Sequence, residues 1–118
     1  MLSLLIQSEK IWVAGCPVDF RRSVDGLCAC VVECFEMKPQ EGMYIFYNSR
    51  RNRLKLLAWH YNGFMMIYKR LEKGCFPFCF SKDFEKISIE EKTLQGLLLG
   101  LDWQRITQWK DINFENYF

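Results

Sequence analysis

The sequence predicts an α+β fold: a small, twisted antiparallel β-meander of about four or five strands, packed by one long helix and one C-terminal helix. Three observations carry this. Within residues 19–37, Val24, Leu27, Cys28, Val31, Val32 and Phe35 recur at spacings of three and four, which makes one apolar stripe of a helix. Beyond them, three runs rich in aromatic and branched residues, 43–48, 54–61 and 64–71, follow each other closely enough to be hairpins. After Phe80 the leucines at 94, 97, 98 and 101 return to helical spacing.

Taken in order, 10–14 reads as a short strand, and Gly15-Cys16-Pro17 breaks it. Asp19 is placed to cap the long helix, 19–37, which the 39–42 stretch stops at Pro39. In the meander, Asn62-Gly63 is the dipeptide that a two-residue type I′ turn demands at its two positive-φ positions. That turn sets Tyr61 opposite Phe64, Trp59 opposite Met66, Leu57 opposite Tyr68 and Lys55 opposite Arg70. One face then carries Leu54, Leu56, Ala58, Met65, Ile67 and Leu71, and is expected beneath the long helix. The other combines Trp59, Tyr61, Phe64 and Tyr68 with Lys55 and Arg70. Ser88 and Glu91 form a capping-box pair opening a helix over 88–101, expected at an edge of the sheet and weakened by Gly96 and Gly100. The whole chain, 1–118, is expected to be one domain, with 104–118 a mobile or partner-binding tail rich in aromatics, including Trp109.

Charge is distributed unevenly. Arg50, Arg51, Arg53, Lys55, Lys69, Arg70 and Lys73 face one acid, Glu72, so 50–73 carries +6 in a chain whose total is +2, leaving −4 for the remainder. The first meander strand runs toward the 48–53 loop, the second runs away and the third returns, so both basic segments belong at one end of the sheet. Concentrated like charge repels itself and fits a polyanion; lysine and arginine on phosphate release counterions, and neighbouring aromatics stack on bases. Those seven residues are the candidate DNA contacts, with Trp59, Tyr61, Phe64, Tyr68 and Trp109 as candidate stacking or partner-binding residues. A solvated rim guarding a sheet edge is the competing reading of the charges, and packing under a helix or the tail that of the aromatics. Arg21 and Arg22 join the basic surface if their end of the helix lies near it.

Other functions find little support. The largely apolar stretch 1–6 is too short for a signal core or a membrane span, so a cytoplasmic protein with reduced thiols is expected. Cys30 and Cys34 share a helical face but supply two ligands, Cys28 points elsewhere, and Cys75 and Cys79 are remote in sequence, so no metal site is expected. His60, the single histidine, has no carboxylate nearby in sequence, and Asp19 and Asp25 point apart on a helix while Asp102 suits a turn. No catalytic residue, cofactor, small-molecule ligand or membrane partner is expected.

Five segments in order resemble a known pattern: Gly15-Cys16-Pro17-Val18-Asp19-Phe20-Arg21-Arg22-Ser23-Val24-Asp25-Gly26-Leu27, Arg51-Asn52-Arg53-Leu54-Lys55-Leu56-Leu57-Ala58-Trp59, Asn62-Gly63-Phe64, Tyr68-Lys69-Arg70-Leu71-Glu72-Lys73-Gly74, and Leu97-Leu98-Leu99-Gly100-Leu101-Asp102-Trp103. The chain resembles the TnpB-like accessory protein, the second-reading-frame product, of the insertion-sequence-66 transposon family. It departs from that pattern at His60, at Cys75-Phe76-Pro77-Phe78 and after Trp103. The resemblance implies a bacterial protein that assists transposition while a separate transposase holds the DNA-cutting carboxylates, and it does not imply the RNA-guided nuclease sharing the name. DNA, and the transposase or another accessory subunit, are the expected partners; a module docking on those proteins without touching DNA is the alternative.

Overall fold

The computed structural model of the chain describes residues 10–77 and 86–99. Strands β1 (Ile11–Ala14), β2 (Met43–Tyr47), β3 (Arg53–His60), β4 (Gly63–Arg70) and β5 (Lys86–Ile89) form one sheet in the order β4-β3-β2-β1-β5. β2, β3 and β4 are the expected antiparallel meander. β1 lies parallel to β2, and β5 pairs antiparallel with β1, so the sheet is mixed. A parallel neighbour needs a crossover, which helix α1 (Val24–Cys34) provides. All five residues of β2, Met-Tyr-Ile-Phe-Tyr, are buried, as befits a central strand covered on both faces.

The two faces are covered differently from expectation. α1 buries Leu27, Cys30 and Val31, and Phe35 at its C-cap sets its ring 5.5 Å from Tyr44 and 5.6 Å from Phe46. Register puts Lys55 and Leu57 on that same face. The long helix therefore covers the aromatic face, and the aliphatic face expected beneath it is the opposite one. That other face, with Ile11, Val13, Met43, Ile45, Leu54 and Leu56 all buried, meets helix α2 (Glu91–Leu98). α2 begins directly after β5 at one edge, and its last turn brings the Leu98 carbonyl to the Lys69 ammonium on β4, the other edge. It thus spans a face instead of sitting at an edge, with Leu94 and Leu97 fully buried. A sheet apolar on both sides needs two covering layers.

Local chemistry moves the helix starts. α1 begins at residue 24, not 19, because the Asp19 carboxylate accepts the Arg21 backbone N–H (2.9 Å) and closes a separate turn instead of capping. It ends before 37, where Glu36 takes a φ of 54° and the Met37 N–H returns to the Val31 carbonyl. α2 starts at 91, because Ser88 is a β5 residue paired with Trp12. Leu99 is its C-cap, and residues 100 and 101 of the expected helix lie outside the described residues, as do the 104–118 tail and Trp109.

The β3–β4 turn also differs. The observed partners are Trp59 with Phe64 and His60 with Gly63, leaving Tyr61, at φ 52°, as the centre of a γ-turn in which the Asn62 N–H donates to the His60 carbonyl. Gly63 belongs to the strand. The register is displaced by two residues, which preserves the faces but changes the partners: Lys55 now opposes Tyr68, and Arg53 opposes Arg70.

Candidate nucleic-acid interface

The basic segments meet at the end of the sheet where β1, β2 and β4 terminate. The loop between β2 and β3 is braced by two asparagines: Asn48 Oδ1 accepts the backbone N–H groups of Asn52 (3.1 Å) and Arg53 (3.0 Å), and Asn48 Nδ2 donates to Asn52 Oδ1 at 2.7 Å. This holds Arg51 at a φ of 58°, which a lone arginine rarely adopts. The segment leaving β4 is stitched to that loop. The Leu71 N–H donates to the Asn52 carbonyl (2.8 Å), the Phe76 N–H to the Arg51 carbonyl (2.6 Å) and the Cys75 thiol to the Arg50 carbonyl (3.2 Å). Phe76 is buried and anchors the segment, so Lys73 is carried alongside Arg50 and Arg51.

A second wall comes from the chain leaving β1. The Val18 N–H donates to the Tyr47 carbonyl (2.9 Å), and residues 17–21 face 48–53 across a groove of about 510 Å³ lined by Asp19, Phe20, Arg21, Asn48, Arg50 and Arg53 among others. It opens outside the carboxyl ends of the parallel strands β1 and β2, where open α/β sheets place ligands. Arg21 Nε lies 3.1 Å from both Asp19 carboxylate oxygens and Nη2 lies 2.7 Å from Oδ2. Those bonds, with that from the Arg21 backbone, hold the Asp19 carboxyl down to about 2 and raise the guanidinium.

Five of the seven candidate contacts, Arg50, Arg51, Arg53, Arg70 and Lys73, are exposed at this end. Arg53 and Arg70 stand directly opposite on neighbouring strands, a like-charge pair, and Glu72 reaches Arg70 at 3.2 Å. The other two are turned to internal acceptors. Lys55 is 7% exposed; its ammonium donates to the Phe20 (2.8 Å) and Arg22 (3.0 Å) carbonyls and lies 4.9 Å from the Phe20 ring centroid. Lys69 is held by α2 through Leu98, as described.

The aromatics divide as well. Tyr68 is 47% exposed and tilts against Phe20 with centroids 6.3 Å apart. Trp59 and Phe64 are half-buried and pack edge to face at 4.9 Å, while exposed Tyr61 rests on His60 at 4.7 Å. The groove residues Asp19, Phe20, Asn48 and Asn52 were not singled out by charge pattern, although asparagines four apart around a basic stretch are a turn signal. Away from this end, the Cys30 and Cys34 sulfurs lie 3.9 Å apart, and burial pushes the Cys30 thiol up to about 11.

The model of the family described as IS66 Orf2 like protein matches residues 9–108, extending past both ends of the 15–103 span of the motifs. A protein of Sinorhizobium fredii, named only as uncharacterized protein y4jC, is 39% identical over 99 residues, covering 82% of this chain and 83% of that protein. No solved structure matches. The chain belongs to the IS66 Orf2-like family, a family of insertion-sequence accessory proteins.

Proposed function

We propose that this protein assists transposition by binding DNA backbone phosphates at the basic end of its sheet, without cutting DNA itself. The observation that carries the reading is the opposed Arg53–Arg70 pair, set beside Arg50 and Arg51 on a loop braced by Asn48 and Asn52, and beside Lys73 on the segment bonded to that loop. Like charges directly across a ladder destabilise the fold, and an anion between them relieves that cost. Arg21, across the groove, adds a further cation beside Asp19. Lys55 and Lys69 are not part of the contact set, since each ammonium is engaged internally.

The test is fluorescence anisotropy of labelled DNA with the purified protein over a salt series, alongside an Arg50/Arg51/Arg53→Ala variant. If the surface neutralises about four phosphates of a duplex, the logarithm of affinity falls with the logarithm of salt at a slope near −3.6. The triple variant then loses most of that slope. The second reading, docking on the transposase or another accessory subunit, draws on β4 being a sheet edge with Met66 39% exposed beside Tyr68. Absence of DNA binding even at low salt, with capture of the transposase abolished by substitutions on β4, would favour it.

A further inference from the structure

We infer that the surface takes an opened single strand of DNA in preference to duplex, with Tyr68 as the platform on which one base stacks. This rests on the phosphate-binding reading above and specifies its substrate. Tyr68 is directly opposite Lys55 and two residues from Arg70 on the same face of β4, so the two side chains leave the backbone about 6.8 Å apart along the strand, a spacing within the span of one nucleotide. The ring is supported from behind. Phe20 tilts against it at 53° between planes, and the buried Lys55 ammonium sits over the Phe20 ring and bonds to the Phe20 carbonyl. A ring half open to solvent and braced underneath is pre-organised for stacking, and little side-chain freedom remains to be lost on binding.

Phe20 and Arg53 also line the groove, which makes platform and groove continuous. At about 510 Å³ the groove has the size of a small-ligand site and admits a sugar-phosphate, whereas a duplex would span its rim. Base faces in a duplex are occupied by their neighbours, so only an opened strand presents one to Tyr68. Arg53 and Arg70, opposed to each other one pair beyond Tyr68 on that face, then grip the phosphate on that side of the stacked nucleotide.

Anisotropy with labelled single-stranded and duplex oligonucleotides of equal length, on the parent protein and the Tyr68→Ala and Tyr68→Phe variants, decides the matter. The expected result is at least about tenfold tighter binding of the single strand, a loss of about 5- to 150-fold in Tyr68→Ala confined to that form, and retention in Tyr68→Phe, which keeps the π-face. Circular dichroism of each variant reports folding, and duplex affinity within the same preparation of Tyr68→Ala serves as a second check. Equal affinity for the two forms, or single-strand binding indifferent to Tyr68→Ala, overturns this inference while leaving the phosphate surface standing. Failure of both forms to bind at low salt overturns both.

Discussion

Lys55 tests whether a cation of the basic segment is structural or belongs to the proposed DNA-contact set. Its ammonium is 7% exposed and makes two charge-assisted hydrogen bonds, to the carbonyls of Phe20 and Arg22, that hold the lead-in to α1 against β3. Lys55→Met keeps the length and apolar stem but removes both bonds and the contact with the Phe20 ring. Bonds to a charged group contribute about 1.5–3 kcal/mol each and the cation–π contact about 0.5–2 kcal/mol. Relief from burying the ammonium and the apolar contacts of methionine offset part, leaving a net loss of about 2–4 kcal/mol. For 118 residues the unfolding entropy is roughly 0.25 kcal/mol/K, so Tm falls by about 8–16 °C. Thermal melts by circular dichroism measure this, and the salt dependence of DNA binding below the new Tm is the companion assay, expected unchanged. An unaltered Tm together with a salt slope shallower by about 0.9 would refute the reasoning, because that is the signature of a phosphate contact.

Other changes have equally definite outcomes. Asp19→Asn keeps an oxygen to accept the Arg21 N–H but removes the charge that engages the guanidinium, so the salt slope of DNA binding should steepen by up to about 0.9. Because the Asp19 carboxyl is depressed to about 2, its stabilising effect is complete above the unfolded carboxylate value and fades only as pH falls toward about 2; stability measured by denaturant titration should show no Asp19 contribution near neutrality that varies with pH. At the alkaline side the sign is opposite. The Cys30 thiol, raised from 9.0 to about 11, and the Tyr47 hydroxyl, raised from 10.0 to about 12, both by burial, make the fold lose stability as pH rises through those windows; melts of Cys30→Ala should show a smaller early decline, the Cys28 thiol, also raised by burial, supplying the rest. Gly63→Ala should be neutral or stabilising by about 0.5–1 kcal/mol, since Gly63 sits in a strand with open space around its Cβ position. A type I′ turn at 62–63 would instead make that substitution costly, and denaturant unfolding tells the two apart.

The helical stripe around Leu27 and Val31, the three meander strands and the shared end of the two basic segments were legible because each follows from side-chain period or chain direction. Periodicity says which residues share a face but not which layer covers it, and here both faces of β2 and β3 are buried. That ambiguity concealed the placement of α1 on the aromatic face. Parallel pairing of β1 with β2 is a contact across a helix, for which no local residue is a marker. The turn at 61–62 shows a local preference yielding to a longer ladder: Asn62-Gly63 favours one register, yet eight cross-strand partners, Arg53 through His60 with Gly63 through Arg70, settle on another. Charge pattern found the basic surface but not the fate of each cation, because burial of Lys55 depends on where residues 20–22 pass.

Those internal lysines explain how the end of the sheet can carry concentrated positive charge and stay folded. A lysine whose ammonium is satisfied by main-chain carbonyls adds a tie between layers, and two such ties bracket the sheet, Lys55 toward the lead-in to α1 and Lys69 toward the end of α2. The backbone bonds from Leu71 and Phe76, with that from the Cys75 thiol, then fix the two segments to each other, independently of the arginine and lysine side chains they display. Repulsion between Arg53 and Arg70 acts on a frame that does not depend on their own contacts. Replacing the exposed arginines should therefore alter anion binding with little change in stability, typically within about 0.5 kcal/mol, whereas replacing the buried lysine does the reverse. The same basic segment thus divides into cations that tie its layers together and cations left exposed at the end of the sheet.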